Sequence, residues 1–134
     1  MAKISDIEGI GPVNAEKLAK AGIKSVEGLL KTGCTPKGRK EIAEASGIDA
    51  GRILDWTNMA DLFRIKGVST QYAELLKQSG VDTVKELRNR NAENLHAKMA
   101  EVNADKKLVR QLPTQAQVTA FVEGAKGLEP MITY

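Results

Sequence analysis

Shifting the chain against itself by 58 residues brings Ile7 onto Ile65, Gly9 onto Gly67 and Ile10 onto Val68. The same shift sets Ala15 on Ala73, Glu16 on Glu74, Leu18 on Leu76 and Gly22 on Gly80. It continues without a gap through Ile23 on Val81, Val26 on Val84 and Leu29 on Leu87. The coincident positions are glycines and apolar residues, which set backbone conformation and burial. A chain that repeats them is expected to build the same local structure twice. Further on the correspondence is weaker. Ile42-Ala43-Glu44 parallels Met99-Ala100-Glu101, and Asp49 to Trp56 parallels Thr114 to Phe121, with Ile53 on Val118. The expected division is 1–62 and 63–134.

The centre of the first copy is Ile7-Glu8-Gly9-Ile10-Gly11-Pro12-Val13-Asn14-Ala15-Glu16-Lys17-Leu18. It reads as a tight turn opening a helix. Glycine serves where the backbone takes unusual dihedrals or approaches another group. Pro12 suits a first helical turn, where a missing N–H costs nothing. Ala15 and Leu18 lie one turn apart and face inward. The first amides of such a helix, with the positive end of its dipole, can hold a phosphate. This stretch resembles the helix-hairpin-helix motif: apolar, any, Gly, apolar, Gly, three residues, Ala, two residues, Leu. The resemblance implies non-sequence-specific binding of the DNA backbone, or a structural or protein-docking role.

The helices follow from local signals. One is expected from Pro12 to Gly22, with Gly22 as the residue after its cap. A short helix begins near Ser25, carries Val26, Leu29 and Leu30 inward and stops at Gly33. Thr35-Pro36 caps and opens a third, to about Ala45. Asp49 caps a fourth, on which Ile53, Trp56, Ala60 and Phe63 follow helical spacing and which joins the copies. In the second copy Ser69 or Thr70 caps a helix bearing Tyr72, Ala73, Leu75 and Leu76. Thr83 to Glu86 reads as a capping box. Leu95, Met99 and Val102 mark another helix face, closed by a turn at Asn103-Ala104-Asp105. A short helix is expected to hold Leu108, Val109 and Leu112 before Pro113. Thr114 caps a last helix with Val118, Phe121, Val122 and Ala125, stopped by Gly127. Glu129 to Tyr134 reads as a loose tail. No stretch alternates apolar and polar residues, so the expected class is all-α.

Gly33-Cys34-Thr35-Pro36-Lys37-Gly38-Arg39-Lys40 is similar to the family of a domain of unknown function, DUF4332. So are Asp61 to Val68, Glu93 to Met99 and Leu112-Pro113-Thr114. This resemblance spans nearly the whole chain. It implies two tandem repeats of paired helix-hairpin-helix (SAM-like) units packed as one compact body, and it brings no established activity.

The net charge of +3 permits nucleic acid without demanding it. Residues 1–62 are balanced, so the excess lies in 63–134. Cys34 is the one cysteine and excludes an internal disulfide. Met1 to Asp6 carries no apolar signal core, and no run reaches transmembrane length. A cytoplasmic protein without a membrane partner is expected.

The candidate nucleic-acid contacts are the amides of Gly9, Gly11 and Val13, with Lys17 and Lys20 on the following helix. In the second copy they are Gly67, Ser69 and Gln71, with Lys66 and Lys77 nearby. Two phosphates held this way carry no base identity, so no sequence preference is expected. Lys37, Arg39 and Lys40 form the densest basic run, at a helix start where positive charge is locally unfavourable. Glu41 and Glu44 can simply pair with it. Lys106-Lys107-Arg110 and Arg88 with Arg90 are lesser patches. Against a DNA role stand Glu8, which repels phosphate, Ser69 in place of the motif's second glycine, and Asp49 in the third turn. The paired places of Trp56 and Phe121 point to core packing rather than base stacking.

His96 is the only histidine, so no metal site is expected. Neither a nucleophile elbow, a P-loop nor a dinucleotide fingerprint is present, so no enzyme activity, no catalytic residue and no cofactor are expected. The expected function is a non-catalytic module binding DNA backbone non-specifically. The alternative is a protein–protein adaptor or self-associating module, marked by an exposed apolar patch.

Overall fold

The computed structural model describes residues 3–7 and 9–134. Met1 and Ala2, part of the N-terminal reading above, and Glu8 lie outside the described residues. The class is all-α. Among the described residues there are eight helices, a 3-10 turn at Ile4–Asp6 and one antiparallel bridge between Lys3 and Ser25. The helices are α1 (Gly11–Lys20), α2 (Val26–Gly33), α3 (Pro36–Ser46), α4 (Ala50–Leu62), α5 (Thr70–Gln78), α6 (Val84–Arg88), α7 (Ala92–Lys106) and α8 (Gln115–Lys126). No helix among the described residues is long and apolar enough to cross a membrane.

Short polar side chains set most of the helix starts. The Ser25, Thr35 and Thr83 hydroxyls accept from the amides of Gly28, Gly38 and Glu86. Asp49 Oδ2 accepts from Gly51 N, and Asn91 Oδ1 from Asn94 N. Thr114 and Gln117 cap each other, each side chain bonded to the other's amide. Each such bond satisfies a donor that the helix itself leaves orphaned, worth about 1 kcal/mol.

The chain divides into two units. The first runs to Asp61 and includes Met131–Tyr134; the second is Leu62–Pro130. Within the first, α3 packs on α1 and α2. Its core holds Ile7, Ile10, Leu18, Leu29, Ile42, Ile53 and Trp56. Within the second, α5 packs on α7, while α6 and α7 pack on α8. Its core holds Ile65, Leu75, Leu76, Leu87, Leu95, Met99, Val118 and Phe121. Fully burying one such side chain contributes about 1.5–3 kcal/mol.

The internal correspondence reaches the backbone. Gly9 and Gly67 both lie in the left-handed region, at φ 90° and 89°. Gly22 and Gly80 do so at 84° and 94°. Ile10 N donates to Ile7 O, and Val68 N to Ile65 O. Ile23 N reaches back to Leu18 O, and Val81 N to Leu76 O, each at 2.9 Å. Trp56 covers Gly9 in one unit as Phe121 covers Gly67 in the other: a Cβ on these glycines would lie 3.7 Å from Trp56 Nε1 and 3.3 Å from Phe121 Cε1. Both glycines are thus required by their dihedral, and at Gly67 a Cβ would also press on Phe121, whereas at Gly9 it would make only an ordinary contact with Trp56. The copies part later on. α7 has 15 residues where α3 has 11, and the connection 107–114 is longer than 47–49.

Three expectations are corrected. Asn103-Ala104-Asp105 is not a turn: it forms the end of α7, which stops at Lys107 in the left-handed conformation, φ 52°. Leu108, Val109 and Leu112 are not helical. Val109 has both main-chain groups bonded to the Asn103 side chain, at 2.9 and 3.2 Å, and these bonds replace helical ones. The tail is not loose, because Thr133 N donates to Cys34 O at 2.7 Å. Gly127 does end α8, but with φ −85°, so it needs no left-handed conformation.

Candidate functional site

The turn opening α1 is built by Gly9 and Gly11, at φ 90° and 64°. Both are exposed, as is Pro12, and Val13 is 67% exposed. Among the described residues no side chain caps α1. It differs in this from α2 to α8, each of which has a polar side chain folded onto its first turn. Pro12 contributes no N–H, so the donors at this end are main-chain amides on either side of it. Together with the helix dipole they form a place where an outside acceptor is favoured. Lys17 and Lys20 stand exposed on the last turn of α1, where their charge also complements the negative end of the helix.

The matching turn of the second unit is closed differently. Gly67 and Lys66 are exposed, but Ser69 is the N-cap of α5 and its hydroxyl accepts from Tyr72 N at 3.4 Å. The chain's own oxygen occupies the direction from which a phosphate oxygen would approach. Tyr72 is half-buried, its ring 6.1 Å from that of Phe121 and its hydroxyl donating to Gln111 O.

The basic run of α3 divides. Lys37 and Lys40 are exposed and lie three residues apart, on one face of the helix. Arg39 points elsewhere and is only 6% exposed. Its Nη1 donates to Gly33 O at 2.8 Å and its Nη2 to Thr133 O at 2.7 Å. Its guanidinium therefore holds protein carbonyls. Gly38, beside it, is buried, and a Cβ there would overlap the Thr32 carbonyl oxygen. The stretch Gly33 to Lys40 is thus a junction between α2 and α3, with two lysines on its outer side.

Other basic residues are engaged as well. Lys106 Nζ donates to Gln78 Oε1, and Arg90 Nη2 to Gly80 O. His96 Nε2 lies 2.9 Å from Pro113 O, where it fixes the connection before α8. Among the described residues no three His, Cys, Asp or Glu side chains gather as metal ligands would. Trp56 and Phe121 are buried, and the Arg52 guanidinium lies 5.0 Å from the Trp56 ring centre.

The structure therefore gathers Gly9, Gly11 and Val13 in one open turn, with Lys17 and Lys20 along the same helix. Lys37 and Lys40 lie on α3, which packs on α1. Lys66, Gly67 and Ser69 belong to the second unit. Arg39 and its partner Thr133 form a contact that the local sequence does not announce, since 94 residues separate them.

A model of the family described as a domain of unknown function, DUF4332, matches residues 8–128. The chain belongs to the DUF4332 family. The match covers the turn at α1, the α2–α3 junction and all the helices of the second unit, so every candidate position above falls within the DUF4332 region. The tail that binds Arg39 lies beyond it, as do residues 3–7. No curated protein and no solved structure matches the chain.

Proposed function

We propose that this DUF4332 protein is a non-catalytic binding module made of two tandem pairs of helix-hairpin-helix units. On this reading it holds nucleic-acid backbone, without reading sequence, at the turn that opens α1. The observation carrying the reading is the start of α1: exposed, opened by two left-handed glycines and, alone among the helices of the described residues, without a side-chain cap. A phosphate oxygen there takes the place that serine, threonine, asparagine or aspartate oxygens take on the other helices. Lys17 and Lys20 extend the contact along α1, and Lys37 and Lys40 add charge from α3. Arg39 has no part in it. The second unit, where Ser69 already caps α5, contributes Lys66 and the Gly67 turn more weakly.

Phosphate binding through a few lysines and amides must weaken with salt, since each neutralised phosphate releases counterions. The test is an anisotropy titration of random-sequence duplex DNA at several salt concentrations. Replacing Lys17 or Lys20 by alanine should lower the slope of log affinity against log salt by about one each. Gly11→Asp, which sets a carboxylate at the turn, should weaken binding further. No binding by the native chain at low salt removes the proposal.

A further inference from the structure

We propose that Trp56 and Arg52 are further contacts of a phosphate group held at the turn opening α1, the indole N–H as a hydrogen-bond donor and the guanidinium as a cation beside it. The proposal rests on reading that turn as a phosphate site, and it adds two residues of α4 to it.

Trp56 is only 4% exposed, and it points its nitrogen at the turn. A Cβ built on Gly9 would lie 3.7 Å from Nε1, and no other atom of the ring comes within 4 Å. A buried tryptophan N–H usually has an acceptor. Among the described residues this one has none, and its nitrogen keeps contact with solvent. Two residues on, Gly11 has open space where a side chain would stand, with nothing within 4 Å. An indole donor without an acceptor thus meets the same turn as the uncapped amides of α1. A charged oxygen is the acceptor that satisfies both.

Arg52 lies one turn earlier on α4 and is exposed. Its guanidinium carbon is 5.0 Å from the centre of the Trp56 ring, so a cation–π contact holds it on the indole whose nitrogen faces Gly9. Asp49 and Asp55 stand three residues to either side. Among the described residues neither forms an ion pair with Arg52, and Asp49 Oδ2 accepts from Gly51 N instead. The guanidinium fork is left for oxygens from outside the chain.

The second unit supplies an internal comparison. In place of Gly11 it has Ser69, whose hydroxyl caps α5. In place of Trp56 it has Phe121, which turns a carbon, Cε1, toward Gly67. In place of Arg52 it has Gln117, whose Oε1 accepts from Thr114 N. The turn that its own serine closes therefore also lacks the ring N–H and the cation. Filling the core needs only an aromatic ring, so packing accounts for neither the nitrogen nor the arginine in the first unit.

The test reads the indole directly. Trp56 is the only tryptophan, so the full-length chain labelled with nitrogen-15 gives a single indole N–H resonance. It is titrated with random-sequence duplex DNA, with inorganic phosphate and, at equal ionic strength, with sodium chloride. Saturable downfield movement is expected with DNA, over the concentrations at which anisotropy reports binding, and none with chloride. Arg52→Gln should weaken binding at low salt at least about tenfold and lower the slope of log affinity against log salt by about one. Trp56→Phe, which installs the ring of the second unit, should weaken binding about tenfold, because a donor to a charged oxygen is lost. Should circular dichroism show that Trp56→Phe loses its helices, the native resonance and Arg52→Gln carry the test. DNA binding that leaves the indole resonance still, or that is indifferent to Arg52→Gln, overturns these contacts and leaves the reading of the turn intact. A resonance that moves with phosphate in a chain that binds no DNA removes the nucleic-acid reading alone and makes free phosphate the ligand. A resonance unmoved by DNA and phosphate alike, or moved equally by chloride, overturns the proposal.

Discussion

Gly38 and Gly124 both lie inside helices, and the structure gives them opposite responses to the same substitution. Replacing a helical glycine by alanine ordinarily stabilises by about 0.5–1 kcal/mol, because the unfolded chain loses freedom. Gly124→Ala in α8 should show this gain. Its new methyl would meet nothing closer than Ile65 Cγ2 at 3.8 Å, an ordinary contact. Gly38→Ala in α3 should do the reverse. There the Cβ overlaps the Thr32 carbonyl oxygen, a main-chain atom of α2 that cannot swing aside. Relief requires α2 and α3 to separate. That movement also strains the Thr35 cap on Gly38 N and the Arg39 bond to Gly33 O. Overpacking alone costs about 1–3 kcal/mol, and the loss of a cap adds about 1 kcal/mol. We expect Gly38→Ala to destabilise the first unit by about 3 kcal/mol. For a chain of this size, 1 kcal/mol corresponds to roughly 4 °C in Tm. Thermal unfolding followed by circular dichroism should therefore show a fall of roughly 10 °C for Gly38→Ala and a rise of a few degrees for Gly124→Ala. Shifts of the same sign, or a Gly38→Ala chain as stable as the native one, would refute the argument from close approach.

Gly22→Ala has open space around the new Cβ, so it should cost only the left-handed dihedral, about 1 kcal/mol; Gly67→Ala adds the 3.3 Å contact with Phe121 and should cost more, as urea unfolding can compare. Thr114→Ala breaks the reciprocal cap with Gln117 and should lower stability by about 1 kcal/mol in the same assay. Asn103→Ala strips Val109 of both main-chain partners, so the amide of Val109 should exchange hydrogen far faster while the middle of α7 stays protected.

Most of the helical framework could be read from the sequence because its determinants are local. Thr35, Asp49, Thr83 and Thr114 are short oxygen-bearing side chains placed just ahead of apolar periodic runs, and each caps the helix it was expected to cap, as Ser25 does at the helix expected to begin near it. Gly9, Gly22, Gly67 and Gly80 stood out through their recurrence at one offset, and they share one dihedral region. The misreadings fall where a distant partner decides. Asn-Ala-Asp at 103–105 has turn composition, yet Asn103 spends its side chain on Val109 and the helix continues beneath it. Leu108, Val109 and Leu112 have helical spacing, but Val109's main-chain groups are already taken. Within Lys37-Gly38-Arg39-Lys40, charge alone made all three cations look alike. Helical phase separates Arg39 from the lysines, but its carbonyl partner at Thr133 has no local signature. At the candidate site, the glycine turn was legible and the closure by Ser69 in the second unit only half so, since a serine there can either cap or donate.

The bond between Arg39 and Thr133 has a consequence for how the protein is born. A chain is made from its N-terminus at about 5–20 residues per second. Arg39 therefore precedes its carbonyl partner by 94 residues, which corresponds to roughly 5–20 seconds of synthesis. Throughout that interval α1 to α4 can assemble on the ribosome with one guanidinium nitrogen facing water. A junction that forms early is thus completed only by a partner made 94 residues later.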